Sequence, residues 1–356
     1  MMRYVKAQII QQIAVEILRR AGSSANEAEI VAEHLVRSNL LGHESHGVGM
    51  LSLYLKDIEK AYLVPGKPAL KMVDDGAILV FNGQRGYGQR TAREAMDAAI
   101  EKCREKGLAL LALRNAHHIG RVGTYGEMAI EEGFISIHFV NVVARKAISP
   151  FGGRDGRMGT NPICIAIPGT ANTDSILLDM ATSKIAMGKA RVALEAGKPV
   201  GENILMDADG NPTTDPAVMF NDPRGALLPI GTYKGYGLAL CCEILAGALC
   251  GGGSLQHWDE KAGGIMNNML AIVIDPERLG DISWMQMEID GIVRHVTGSP
   301  PIDPENPVLV AGDPERINLK ARTEQGIPFS TGAWEELKAA AAAVNITDEE
   351  WKSMFR

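Results

Sequence analysis

The chain has 356 residues, 46% apolar and 22% charged, an ordinary globular composition with material for two compact lobes. Its formal charge of -7 is spread over interspersed acidic and basic residues. With no basic block to meet a phosphate backbone, nucleic acid is excluded as a partner.

Near the start, Ile9, Ile10, Ile13, Ile17 and Leu18 recur at helical spacing, while Gln11, Gln12 and Glu16 break any secretory apolar core. The spacing predicts a domain helix rather than an export signal, and a cytoplasmic protein. Ser24 with Glu27 three residues on predicts a capping box opening a second helix, which runs toward LLGHESHG. From about Ala77 the texture turns to α/β: strand ILVFN, glycine loop GQRGYGQ, helix TAREAMDAAIEKCREKG and strand LALLAL. Further strands are predicted at FISIHFV, ICIAI, SILLDM and MLAIVI, with a helix at LALCCEILAGAL after the glycine turn Lys234 to Gly237. The most apolar stretch, Gly237 to Cys250, carries Glu243 and is shorter than the roughly 18 residues that cross a bilayer, so no membrane span is expected. Beyond about Pro300 the chain is rich in Pro and Asp, then closes with helix AWEELKAAAAAV and a capped piece at Thr347 to Glu350. This reading divides the chain into an N-terminal helical lobe (1–75), an α/β body (76–300) and a C-terminal segment (301–356) expected to rejoin the first lobe. Cys103, Cys164, Cys241, Cys242 and Cys250 form no CxxC, which predicts reduced thiols with neither disulfide nor zinc.

Gly86 and Gly88 stand between a strand and a helix as dinucleotide-binding glycines do, but Thr91 and Ala92 occupy the third position. The next strand ends at Arg114 and Asn115, with no acid for a ribose hydroxyl, so a standard Rossmann domain is not expected. No GxxxxGK[ST] cradle for ATP is present. His43 and His46 flank Glu44 and Ser45, and His117 and His118 precede Ile119-Gly120-Arg121. Without HExxH spacing or an acidic cluster around them, a metal site is not expected. General acid/base work suits a side chain that titrates near neutrality; loop histidines bonded to backbone carbonyls are the structural alternative. His34 and His138 lie in periodic segments and are read as structural. The turn-rich PFGGRDGRMGTNP is either an anion-holding loop or a connector with solvated Arg154 and Arg157. LLDMATS sets an acid and hydroxyls at a strand end, where open α/β sheets bind ligands, although Thr182 or Ser183 would serve equally as a helix cap. These signals stop at an α/β enzyme with a histidine-bearing cleft.

Taken together, ESHGVGMLSLYL, NAHHIGRVGTYGE, PFGGRDGRMGTNP, LLDMATSKIAMGK, GNPTTDPAV and YKGYGLALCCEILAG resemble, in order, the malate/L-lactate dehydrogenase-like oxidoreductase family. HHIGR, FISIHFV and PTTDPAVM are most similar to its hydroxycarboxylate dehydrogenase B branch. The resemblance implies an α/β, non-Rossmann nicotinamide-binding fold of the sulfolactate dehydrogenase-like type, with a helical lobe built from both termini. It implies a homodimer with the active site between lobes, and hydride transfer between NAD or NADP and a small 2-hydroxy or 2-oxo acid. His118 would be the general acid/base with His46 beside it, and Ser45, Tyr54, Met50 and Arg121 would face the substrate. Thr160, Asn161, Asp179, Met180, Ala181 and Lys234 would line the cofactor site.

Two positions depart from the family pattern. Met50 stands where many relatives carry arginine, which predicts a more apolar pocket and disfavours a dicarboxylate such as malate. Arg145 and Lys146 replace small residues or proline, and are expected either to contact the substrate carboxylate or a cofactor phosphate, or to be solvated. The rival expectations are a cyclic imino acid reductase, acting on a piperideine or pyrroline carboxylate, and a catalytically silent ligand-binding protein.

Overall fold

The computed structural model describes residues 2–195, 197–257 and 263–355. In chain order the elements are β1 (Arg3–Val5), α1 (Ala7–Arg20), α2 (Ala25–Leu40), α3 (Leu51–Glu59), β2 (Leu70–Asp75), β3 (Ile78–Asn82), α4 (Gly88–Lys106), β4 (Leu108–Ala116), α5 (Gly123–Glu131) and β5 (Ile135–Val143). There follow β6 (Ile163–Ile167), β7 (Ile176–Met180), α6 (Met187–Glu195), β8 (Leu205–Met206), β9 (Pro212–Thr213), β10 (Ala226–Leu227), α7 (Tyr233–Cys242) and β11 (Met266–Ile274). The chain closes with α8 (Ile282–Thr297), α9 (Asp313–Gln325), β12 (Ile327–Phe329), α10 (Thr331–Ala343) and α11 (Asp348–Ser353).

A seven-stranded sheet in the order β2-β3-β4-β11-β5-β6-β7 forms the body. β3 and β4 are its parallel pair, joined by the crossover helix α4; every other pairing is antiparallel. A Rossmann sheet is built from repeated parallel crossovers, so the missing third glycine and ribose acid agree with this topology. Strand β4 buries Ala109, Leu111 and Leu113 on one face, where they join Ala92, Ala95, Met96 and Ala99 of α4 in a common core.

The helical lobe draws on both ends of the chain. Ile10, Ile13, Ala14, Ile17 and Leu18 of α1 are buried as one stripe, against Trp334, Leu337, Ala340 and Ala341 of α10 in a shared cluster. β1 pairs with β12 in the register Arg3↔Phe329 to Val5↔Ile327. Ser24 caps α2 by accepting the Glu27 N–H, but the box does not close there. Buried Glu27 instead accepts from the Gly66 N–H at 2.9 Å and Arg90 at 3.1 Å, tying the lobe to α4. At Thr347 and Glu350 both halves of the capping box are made. A third, smaller core collects Ile148, Met158, Leu205, Met219 and Leu227 around the sheet β10-β8-β9.

Elements without a strong pattern in the sequence were β2, exposed along its whole length, α9, and α8, whose Asp281 cap goes with a helix left largely at the surface. Among the described residues no helix is long and apolar enough to cross a membrane.

Candidate active site

The loop that follows β4 carries both histidines, and backbone geometry holds it. Asn115, next to last in β4, has φ +54, its N–H donating to Asn268 Oδ1 at 2.8 Å. The Ile119 N–H donates to Asn267 Oδ1 at 3.0 Å. Gly120 has φ +75, and a Cβ there would lie 2.2 Å from His34 Nε2, so HHIG requires its glycine. Burial pushes His34 down to about 3, keeping its Nε2 free to accept the Arg121 N–H at 2.9 Å. That is the structural role expected of His34. His138, likewise pushed down to about 3 by burial, bonds Ser136 at 2.9 Å within β5.

The adjacent histidines have opposite partners. His117 Nε2 lies 2.8 Å from Asp57 of α3. His118 turns toward the lobe interface, its Nδ1 2.7 Å from the Tyr54 hydroxyl and its Nε2 3.3 Å from His46 Nδ1. The His46 and His118 rings stack with centroids 5.4 Å apart. Tyr54 sits one turn into buried α3 and accepts from Gln89 Nε2 at 2.6 Å. His46 stands on a short 3-10 turn, where Asn39 accepts the Val48 N–H at 2.9 Å and packs against Gly47. Ser45 packs on Gly188 at the start of α6. Burial holds the His118 imidazole well below its usual range, and nearby His46, His117 and His34 add to the effect. His46 is lowered to about 4, by burial first and then by His43 and Arg121. Both rings are therefore neutral near pH 7.

A second set of residues gathers at the end of β7. The Asp179 carboxylate accepts the Gly123 N–H at 2.7 Å, at the N-terminus of α5, and lies 3.7 Å from Arg121 Nε. Arg121 is 1% exposed and pairs with Glu127 at 2.9 Å, with its Nε and Nη2 making no hydrogen bond. Its guanidinium thus sits inside the protein between two carboxylates. Burial pushes the Asp179 carboxyl above its usual range, and nearby Arg121 offsets part of that rise. Met180 and Ala181 are half-buried beside it. Thr182 donates to the Thr160 carbonyl at 2.9 Å and Ser183 to the Ile185 carbonyl at 2.7 Å, so neither caps a helix; the strand end is stitched to the GTNP loop instead. Asn161 is fully buried, donating to Glu243 at 2.7 Å and the Ala239 carbonyl at 3.1 Å while accepting the Val142 N–H at 3.0 Å. Lys234 is exposed in the first turn of α7.

A cleft of about 450 Å³ opens between the PFGG turn, Lys184 just past the strand end, and Thr232 just before α7. Arg154, Lys184, the backbone of Gly152 and Gly153, and one acid, Asp209, are among the residues that line it. Two cations with glycine amides fit the anionic pyrophosphate of a dinucleotide. Met50 is not in this cleft: it packs in the core of the helical lobe. Arg145 bonds the Met219 carbonyl and lies 5.6 Å over the Phe220 ring, so it is neither solvated nor aimed at the histidines. Among the described residues no group of three or more His, Cys, Asp or Glu is placed to hold a metal ion.

Sequence reasoning missed Gln89, Asp57, Asn267 and Asn268. Asp57 carried a signal, being an acid on the buried side of an amphipathic helix, where it needs a partner. The amides carried none, because their partners come from elements distant in the chain, α3 for Gln89 and the end of β4 and its loop for Asn267 and Asn268.

A family model described as malate/L-lactate dehydrogenase matches residues 5–338. Hydroxycarboxylate dehydrogenase B of Escherichia coli K12 is 41% identical over 345 residues, covering 96% of this chain and 95% of that one. The L-lactate dehydrogenase of Cupriavidus necator is 38% identical over 337 residues, covering 94% and 96%. The solved sulfolactate dehydrogenase of Methanocaldococcus jannaschii superposes with a TM-score of 0.84 at 30% identity, covering 98% and 99%. With this match along nearly its whole length, the chain belongs to the malate/L-lactate dehydrogenase family.

Proposed function

We propose that the protein is a nicotinamide-dependent dehydrogenase interconverting a 2-hydroxy acid and its 2-oxo acid, with His118 as the proton-transfer residue. The observation that carries this is the placement of His118, whose Nδ1 is held by Tyr54 while its Nε2 faces His46 at the lobe interface. A bound nicotinamide cofactor supplies the hydride to C2, or accepts it from there.

In the oxidative direction, neutral His118 takes the hydroxyl proton at Nε2 and becomes imidazolium; in reduction the imidazolium returns that proton to the carbonyl oxygen. His46 and Ser45 orient the carboxylate and the reacting oxygen, while Tyr54, buried with its hydroxyl on His118 Nδ1, acts through that histidine rather than by touching substrate. Arg121, enclosed between Glu127 and Asp179, acts on the site by holding Asp179 rather than by touching substrate. Asp179, Met180, Ala181, Thr160 and Lys234 border the cofactor, and Asn161 fixes the loop that presents Thr160. Met50 packs in the core of the helical lobe and brings no cation to the site, so this reading favours monocarboxylate 2-oxo acids over dicarboxylates. The protein works in the cytoplasm with NAD or NADP, as a homodimer; the exposed stripe Trp284, Met287, Ile292 and Val296 on α8 supports the dimer.

The test is loss of reduced-nicotinamide absorbance, with NADH and then NADPH, against pyruvate, phenylpyruvate, oxaloacetate, 2-oxoglutarate and a cyclic imino acid. Turnover of pyruvate or phenylpyruvate is expected. Turnover of the imine alone would transfer the reading to imine reduction, and silence on every substrate to a binding protein.

A further inference from the structure

Gln89, in the first turn of α4, is 1% exposed, donates from Nε2 to the Tyr54 oxygen at 2.6 Å, and leaves its Oε1 without a partner. The oxygen and nitrogen of a carboxamide exchange places by rotation about its last torsion, so its orientation is set by the network around it. Among the described residues the Tyr54 hydroxyl hydrogen-bonds to His118 Nδ1 and Gln89 alone. It has one proton to give.

With the Gln89 N–H donating inward, that proton must go to His118 Nδ1. The neutral ring then carries its own proton on Nε2, and the nitrogen facing His46 has no lone pair. With Oε1 turned inward, Tyr54 donates to Gln89 and accepts from Nδ1–H, which frees the Nε2 lone pair. The imidazolium needs the same arrangement, because its Nδ1–H must also find an acceptor. Both protonation states required of His118 thus place Oε1 toward Tyr54. We propose that Gln89 is a positioning residue that, through Tyr54, selects the catalytically competent tautomer of His118; this rests on His118 being the proton-transfer residue.

The other groups facing this relay are already engaged or neutral. His46 stacks on His118 from the 3-10 turn, and His117 is paired with Asp57. His34 on α2 accepts from the Arg121 backbone, the Arg121 side chain is paired with Glu127, and Tyr87 and Tyr125 are buried phenols held in the neutral form. None of them takes the Tyr54 proton.

The test compares wild type with Gln89→Glu and Gln89→Met, reading the His118 tautomer by 15N NMR of labelled imidazole and the pH dependence of kcat/KM for oxidation. Glu offers only acceptors, so the Nδ1–H form should persist and the acid limb of the profile should rise by about one pH unit or more, a tenfold shift. Met offers only a weakly accepting sulfur, so the Nε2–H tautomer should take over and kcat fall by about tenfold or more, with cofactor affinity unchanged. In a Tyr54→Phe background neither substitution should have a further effect. Unchanged 15N shifts and an unmoved acid limb in folded variants would overturn the proposal. Should wild type oxidise no 2-hydroxy acid, the proposed function fails by itself, and the NMR still decides the tautomer.

Discussion

At the scale of single residues, burial decides what His118 can do. An imidazole in water titrates near pH 6.5; enclosed with His34, His46 and His117 around it, His118 stays neutral to well below that value, which suits a base in 2-hydroxy acid oxidation. His118→Ala should lower turnover by about 10² to 10⁴ while nicotinamide fluorescence quenching reports cofactor binding within about twofold of wild type. Turnover at the wild-type level would remove His118 from the mechanism. The sequence pointed to this histidine by its motif, but not to its partner, since Gln89 and Tyr54 lie far apart in the chain and meet only across α3 and α4. Met50 and Arg121 are the converse: residues at motif positions whose side chains the packing turned inward, Met50 to fill the lobe core and Arg121 to lie between two partly buried carboxylates.

At the scale of elements, the loop after β4 is held by positive-φ residues and by amides from β11. Gly120→Ala places a methyl against His34 at a backbone angle that alanine resists, and should cost about 1–3 kcal/mol together with activity, read as a lower thermal midpoint and a reduced kcat. Equal stability and activity would show that the loop tolerates another geometry. The same region makes the fold acid-sensitive. His34 and His138 are lowered to about 3 and His46 to about 4, whereas each titrates near 6.5 in the unfolded chain. The unfolded state therefore binds more protons as pH falls through 6.5, and stability is lost progressively toward pH 3. Urea unfolding measured between about pH 8 and about pH 5 should show a declining free energy, and a flat profile would refute buried neutral histidines. The elements around these loops were legible where the hydrophobic period was strong, as at α1, α4 and β4. α8 and β2 were not, because exposed segments carry little core pattern.

For the whole molecule, the helical lobe exists because residues from both termini share one core and β1 pairs with β12. That lobe carries Tyr54 and His46 to the loop after β4, so the site joins two cores rather than lying within one. The exposed apolar side chains of α8, with Trp284 60% exposed, form the face proposed to meet a second copy. Trp284→Glu should convert a dimer to a monomer in analytical ultracentrifugation; a dimer that persists with that substitution would place the interface elsewhere. By itself the sequence determined the main strands of the body sheet and the helices α4 and α7, the absence of a Rossmann fingerprint, the family and the identity of its histidines, because these depend on local period, spacing and motif. Tertiary structure alone decided which histidine faces Tyr54 and which is paired with Asp57, that Arg121 is enclosed, and that Gln89 completes the relay. Those outcomes depend on desolvation and on donors and acceptors brought together by folding, which neighbouring residues in the chain do not specify.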